Sequence, residues 1–217
     1  MIQRVNHIDL YYECIGQGKP VILLHGNGES HKIFERLSKH LSRQFTVYAI
    51  DSRGHGESTK VKRLDYREMA EDIAQFIKTK EISKPILYGF SDGGILGLIL
   101  AATYPELLSK LIISGANTVP EGIKTSYLLF FRIVYFFTRD MRYQLMLTQP
   151  HICDAELEKI TVPTLVLAGS NDLVKENHTK YIAENIAGSI LKIADGENHM
   201  SYVLNNKKLY NIIKPFL

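Results

Sequence analysis

Cysteine is nearly absent from this chain: Cys14 and Cys153 are the only two in 217 residues. Neither sits in a Cys-x-x-Cys pair or a metal-ligand spacing, which excludes a disulfide framework and a cysteine-held metal and leaves two free thiols as the expectation. No apolar run approaches the roughly 20 residues that a membrane span needs. The first stretch, "MIQRVNHIDLYYECIG", alternates polar and apolar residues and lacks the continuous apolar core of a secretory signal, so a cytoplasmic, reducing location is expected. Charge of one sign is not gathered anywhere: 26 Lys and Arg are spread among 23 Asp and Glu, for a net charge of +3. A surface that tracks phosphates needs clustered basic residues, so nucleic acid is not an expected partner. Internal repeats, low-complexity tracts and linkers are missing too.

What is there describes one folded domain, residues 1–217. Apolar residues make up 45% and charged residues 23%, the balance of a globular protein, and the length suffices to bury a substantial core. Residues Ile2 to Ile15 alternate as two short antiparallel strands turning near Asn6 and His7. "VILLHG" (Val21 to Gly26), "FTVYAID" (Phe45 to Asp51), "PILYGFS", "LIISGA" (Leu111 to Ala116), "TLVLAGS" (Thr164 to Ser170) and "SILKIAD" (Ser189 to Asp195) read as strands, the first of them buried on both faces of a parallel sheet. Helices are expected between them: Ser30 to Ser42, Asp65 to Lys80 with Asp65 and Glu68 as a capping box, Asp92 to about Tyr104, Lys175 to Ala187 and Met200 to Phe216. This alternation predicts an α/β, doubly wound, mostly parallel sheet of about eight strands. The rhythm breaks over about residues 118–160, where "SYLLFFRIVYFFTRDMRYQLML" is the most aromatic stretch of the chain; two to three short helices are expected there as an insertion.

In an open parallel sheet, ligands bind at the carboxyl ends of the strands. Polar sequences stand at those ends: "HGNGES", "DSRGHGES", "GFSDG", "GSNDLV" and "ADGENHMS". "GFSDG" fits Gly-x-Ser-x-Gly at a junction from strand to helix, where glycines permit a sharp turn that leaves the Ser91 hydroxyl exposed above the sheet. A serine hydroxyl needs a base, and the base needs an orienting group. His199 and Asp172, each one loop past a strand, can fill those roles; Asp154 and Asp195 stay open as alternatives to Asp172. His7, His31, His40, His151 and His178 read as surface or cap residues, His25 and His55 as structural hydrogen-bonding residues, and Arg53 with its neighbouring glycines as shaping a turn.

Together "VILLHG", "HGNG", "DSRGHGES", "GFSDGG", "PTLVLAGSNDLV" and "ENHMS" make the chain resemble the α/β-hydrolase family over almost its whole length. "GFSDGG" is most similar to the elbow of small esterases and amino-acid-ester hydrolases. The resemblance implies Ser91 as nucleophile, His199 as general base and then acid, Asp172 as the carboxylate holding the imidazole, and the backbone amides of Asn27 and Asp92 as an oxyanion hole. It implies no metal and no cofactor. Residues 118–160 become a short helical cap, with Phe90, Phe130 and Tyr135 as expected pocket residues; a homodimer contact or a membrane-surface patch are its rival roles. The implied activity is a serine hydrolase cleaving a small carboxylic ester or related acyl bond through an acyl-enzyme. The alternatives are a small-molecule receptor or slow signalling-type hydrolase, and a carbon–carbon bond hydrolase or perhydrolase.

Overall fold

In a computed structural model, which describes residues 1–204 and 206–217, eight strands form one sheet in the order β1-β2-β4-β3-β5-β6-β7-β8. The chain enters through the hairpin β1 (Ile2–Val5) and β2 (Ile8–Ile15), then runs β3 (Lys19–Leu24), α1 (Glu35–Leu41), β4 (Phe45–Ile50), α2 (Tyr66–Thr79), β5 (Ile86–Phe90), α3 (Asp92–Thr103) and β6 (Lys110–Ser114). Next come α4 (Thr125–Thr138), α5 (Met141–Thr148) and α6 (Asp154–Leu157). The fold closes with β7 (Thr164–Asn171), α7 (Glu176–Glu184), β8 (Ile190–Asn198), α8 (Ser201–Leu204) and α9 (Asn206–Ile213). From β4 through β8 every pairing is parallel, while β1 and β2 add an antiparallel edge.

The period of two along each strand divides the core between the two faces of the sheet. Ile22, Leu24 and Leu87 point into the cluster that α2, α3 and α7 cover, whereas Val21, Leu23, Ile86, Tyr88 and Phe90 point into the one covered by α1 and α9. Helix α3 lies on the first face with Asp92 to Ala102 all buried, as an almost wholly apolar helix must. It packs on β5, β6 and α2 at the centre of the sheet, so its first turn is held where the strand ends converge.

Several local expectations are corrected. Asp65 caps α2 through the amides of Arg67 and Glu68, but Glu68 does not complete a reciprocal box, because its carboxylate is taken by Arg53 and Arg63. Arg53 does more than shape a turn: it also forks onto buried Asp72, with Nη2 2.7 Å from Oδ1. The segment from Ser30 begins as a 3-10 turn, His31–Phe34, before α1. β8 runs on to Asn198, three residues past the expected end at Asp195. In place of one helix from Met200 to Phe216 there are α8, α9 and a 3-10 turn at Lys214–Phe216; at residue 205 the expectation lies outside the described residues. Both cysteines are free, and among the described residues no helix is long and apolar enough to cross a membrane.

Candidate active site

Between β5 and α3 the chain reverses in one residue. Ser91 takes φ 51° and ψ −115°, a region that costs a side-chain-bearing residue of the order of 1–3 kcal/mol and persists only where neighbours enforce it. The enforcement is visible: Ser91 N donates to Ser114 O at 2.7 Å on β6, and Gly93 N donates to His25 O at 3.1 Å beyond β3. A Cβ on Gly93 would stand 2.2 Å from Leu24 O, so only glycine lets the first turn of α3 sit this close to β3.

Two further strand ends bring their side chains to the same place. His199 Nε2 lies 3.1 Å from Ser91 Oγ, and His199 Nδ1 lies 2.6 Å from Asp172 Oδ1. Asp172 follows β7 where the β7–β8 register shifts between Gly169 and Asn171. It is 1% exposed and accepts the amides of Val174 at 3.0 Å and Gly169 at 3.3 Å. Burial alone would raise its pKa, yet the hydrogen bond and charge of His199 together with those two amides hold it below the ordinary carboxylate range. The other two candidates are elsewhere: Asp154 accepts from the Tyr181 hydroxyl, and Asp195 is exposed on β8. Gly115, at φ 62°, clears space for the imidazole, since a Cβ there would be 2.7 Å from His199 Cε1.

Asn27 and Asp92 flank the serine. Among the described residues their backbone amides donate to no protein acceptor. The Asp92 carboxylate is buried beneath α3, accepting from Tyr66 Oη at 2.7 Å and from Asn27 Nδ2 at 2.9 Å; burial outweighs these bonds and raises its pKa. Asn27 Nδ2 also donates to Arg142 O at 3.3 Å, so this side chain ties α3 to α5. Behind it lies a buried polar layer. His25 Nε2 accepts from Ser52 N at 3.0 Å, and burial holds the His25 pKa down to about 4. His31 is not at the surface: only 4% exposed, it gives both its amide and Nδ1 to Asp51 Oδ1, at 2.6 and 2.8 Å. His178, half-buried in the first turn of α7, accepts from Thr118 N at 3.0 Å.

A cavity of about 270 Å³ opens over Ser91, walled by Phe90, Phe131, Tyr143, Leu173 and Met200 among others. Phe90 lines it as expected, whereas Phe130 lines a neighbouring apolar hollow of about 560 Å³ that shares Phe131 and Leu173 with the first. Tyr135 lines neither and instead lies under the Arg139 guanidinium, 5.6 Å from the ring centroid. Two polar wall residues were not foreseen. Glu29 accepts from Gly26 N at 2.9 Å, and burial raises its pKa against that bond; its signal was only a carboxylate inside "HGNGES". Arg142 pairs with Asp140 through Nε and Nη2, and its place in the wall depends on how α5 packs. Among the described residues no three His, Cys, Asp or Glu side chains are grouped to hold a metal ion.

The chain matches the family model described as alpha/beta hydrolase fold over residues 19–145. It is 30% identical to the serine hydrolase BPHL of Homo sapiens over 98% of this chain and 84% of that protein. Among solved structures, an esterase from Exiguobacterium antarcticum superposes with TM-score 0.86 at 24% identity, covering 99% of this chain and 97% of the other. The enol-lactonase from Burkholderia xenovorans LB400 superposes with TM-score 0.83 at 19% identity, covering 100% and 99%. At those identities the two superpositions speak for the fold.

Proposed function

Since the chain belongs to the alpha/beta hydrolase fold family, we propose that it is a serine hydrolase cleaving a small carboxylic ester or related acyl bond through an acyl-enzyme. One observation carries the reading: the hydrogen-bonded line from Ser91 Oγ through His199 to buried Asp172. In that line Ser91 Oγ attacks the carbonyl carbon while His199 Nε2 takes its proton. Asp172, kept ionised, holds Nδ1–H toward itself, which fixes the tautomer and stabilises the imidazolium. The carbonyl oxygen gains the negative charge, and the amides of Asn27 and Asp92, which donate to no protein acceptor among the described residues, are its donors. When the tetrahedral adduct collapses, the alkoxide leaves with the proton from His199, and the acyl group stays on Ser91. Water then attacks under the same base, releasing the carboxylic acid and restoring the serine.

The size of the cavity, about 270 Å³, favours a small acyl group over a bulky one. Helices α4 and α5 act as the cap, with Phe131, Arg142 and Tyr143 supplying its side of the wall, whereas α6 packs on α3 in the core. The test is active-site labelling with a fluorophosphonate on wild type and Ser91→Ala, followed by p-nitrophenyl esters from acetate to decanoate. Wild type is expected to label and to turn over the short esters, and the variant to do neither. Equal labelling of both proteins would remove Ser91 from its role. Labelling without turnover of any ester would point to the receptor reading or to a substrate outside that series.

A further inference from the structure

Helix α4 packs on α5 and leaves bare the side of itself opposite buried Phe131. Leu129, Phe130, Ile133, Phe136 and Phe137 are each more than half exposed, Phe137 at 78%. At the helical advance per residue these five fall within one arc of about 120°, and buried Phe131 lies across the axis from them. Scattered exposed apolar side chains need no explanation, but a contiguous row of this size does.

The charges around the row are of one sign. From Lys124 to Arg139 the chain carries Lys124, Arg132 and Arg139 and no acid. Arg132 enters no ion pair among the described residues, and the Arg139 guanidinium lies 5.6 Å over the rings of both Tyr135 and Phe136. Of the acids bordering the segment, Asp140 is committed to Arg142, and Glu121 precedes the helix. Self-association through this face is disfavoured, because a two-fold pairing of α4 with α4 brings these cations together with no carboxylate between them. The helix is also far too short to span a bilayer, at about 21 Å for its length. Apolar and aromatic residues on one face with basic residues along its flanks are the pattern of a helix lying in the plane of an anionic lipid surface.

We infer that the outer face of α4 docks on an anionic lipid–water interface, with Leu129, Ile133, Phe136 and Phe137 at the acyl boundary and Arg132 and Arg139, which border the same arc, among the headgroups. Docked in this way, the protein has an apolar route from the interface to Ser91. Phe130 and Tyr127 line the outer hollow, which adjoins the inner cavity at Phe131 and Leu173. The docking stands apart from the catalytic reading; only the route to Ser91 rests on it.

The test is flotation of the full chain with vesicles of phosphatidylcholine alone or mixed equally with phosphatidylglycerol, at about 0.1 M salt where headgroup attraction survives screening. Wild type is expected to bind the anionic vesicles at least ~10-fold more tightly than the neutral ones. The double variant Phe136→Ser, Phe137→Ser should lose at least ~10-fold of that binding, and Arg132→Gln about fivefold. Both should keep wild-type turnover of soluble p-nitrophenyl acetate and an unchanged melting curve, which separates lost docking from lost folding. Ser91→Ala should float as wild type does, so failure of the catalytic reading leaves this result intact. Equal binding to both vesicle types, or unchanged binding of the double variant, overturns the proposal. So does a wild-type dimer in sedimentation equilibrium that the double variant abolishes while vesicles stay unbound, which would assign the face to a second copy.

Discussion

Among the described helices of eight or more residues α3 and α4 are the two most apolar, and they have opposite fates. In α3, the residues from Asp92 to Ala102 are all buried between the sheet and α2; in α4, Phe131 alone is buried along 14 residues. Composition does not separate them. Position does: α3 follows a central strand and is enclosed because the crossover returns over the middle of the sheet, while α4 stands beyond the strand ends with solvent on its outer side. The hydrophobicity of α3 is therefore explained by folding, and that of α4 is not: α3 supplies the floor beneath Ser91, while α4 keeps an apolar face turned to solvent.

The largest effect that sharpens this contrast is expected at the triad. Asp172→Asn should keep the fold yet lower kcat by about 10⁴-fold, because an amide in place of the carboxylate presents the wrong partner to His199 Nδ1. Steady-state kinetics with a soluble ester read it, and a loss under tenfold would mean that another carboxylate orients the imidazole. Next comes the interior of α3. Leu98, with no exposed surface, should cost about 2–5 kcal/mol when cut to alanine, the range for a buried leucine whose surroundings cannot collapse; urea denaturation measures it.

Acidification should act on the floor as well. Burial holds the folded-state pKa of His25 down to about 4, against roughly 6.5 in an unfolded chain. Since the depressed form stays neutral in the folded protein, its contribution is full above about pH 6.5 and is lost as pH falls toward 4. The loss is on the order of 3 kcal/mol, the linkage equivalent of that shift. Unfolding midpoints should therefore fall across this window in wild type and more shallowly in His25→Gln; parallel slopes would place the titration elsewhere.

Much of the site was legible because strand ends are. A Gly-x-Ser-x-Gly turn, a later aspartate and a later histidine each sit one loop past an apolar run, and a parallel sheet gathers those loops whatever the details between them. The backbone roles of Asn27 and Asp92 came instead from the family resemblance, since an amide carries no side-chain signal. His31 was misread because its neighbours look like a solvated loop, while the group that draws it inward, Asp51, lies 20 residues away and one strand over. Tyr135 was misread for a different reason. In "SYLLFFRIVYFFT" nearly every position is apolar, so no polar stripe sets the helical phase, and nothing in the sequence tells Phe131, which faces the cavity, from Tyr135, which does not. Glu29 escaped because a carboxylate inside "HGNGES" does not announce its bond to Gly26 N, and Arg142 because its place in the wall depends on how α5 packs.

The smallest expected effect decides most about α4. Ile133 is 51% exposed and lies in the middle of its outer arc, so in an isolated folded chain its removal opens no cavity and breaks no polar contact. Ile133→Ala should change unfolding free energy by no more than about 0.5 kcal/mol, the range for surface substitutions, against the several expected for Leu98→Ala. The measurement is the same urea titration, run at two protein concentrations. A cost above about 1.5 kcal/mol that grows with concentration would mean that the outer face of α4 is covered by another copy in solution, and the contrast between the helices would then reflect assembly. A small, concentration-independent cost leaves that face bare in the free protein, as a surface held in readiness for a lipid interface must be.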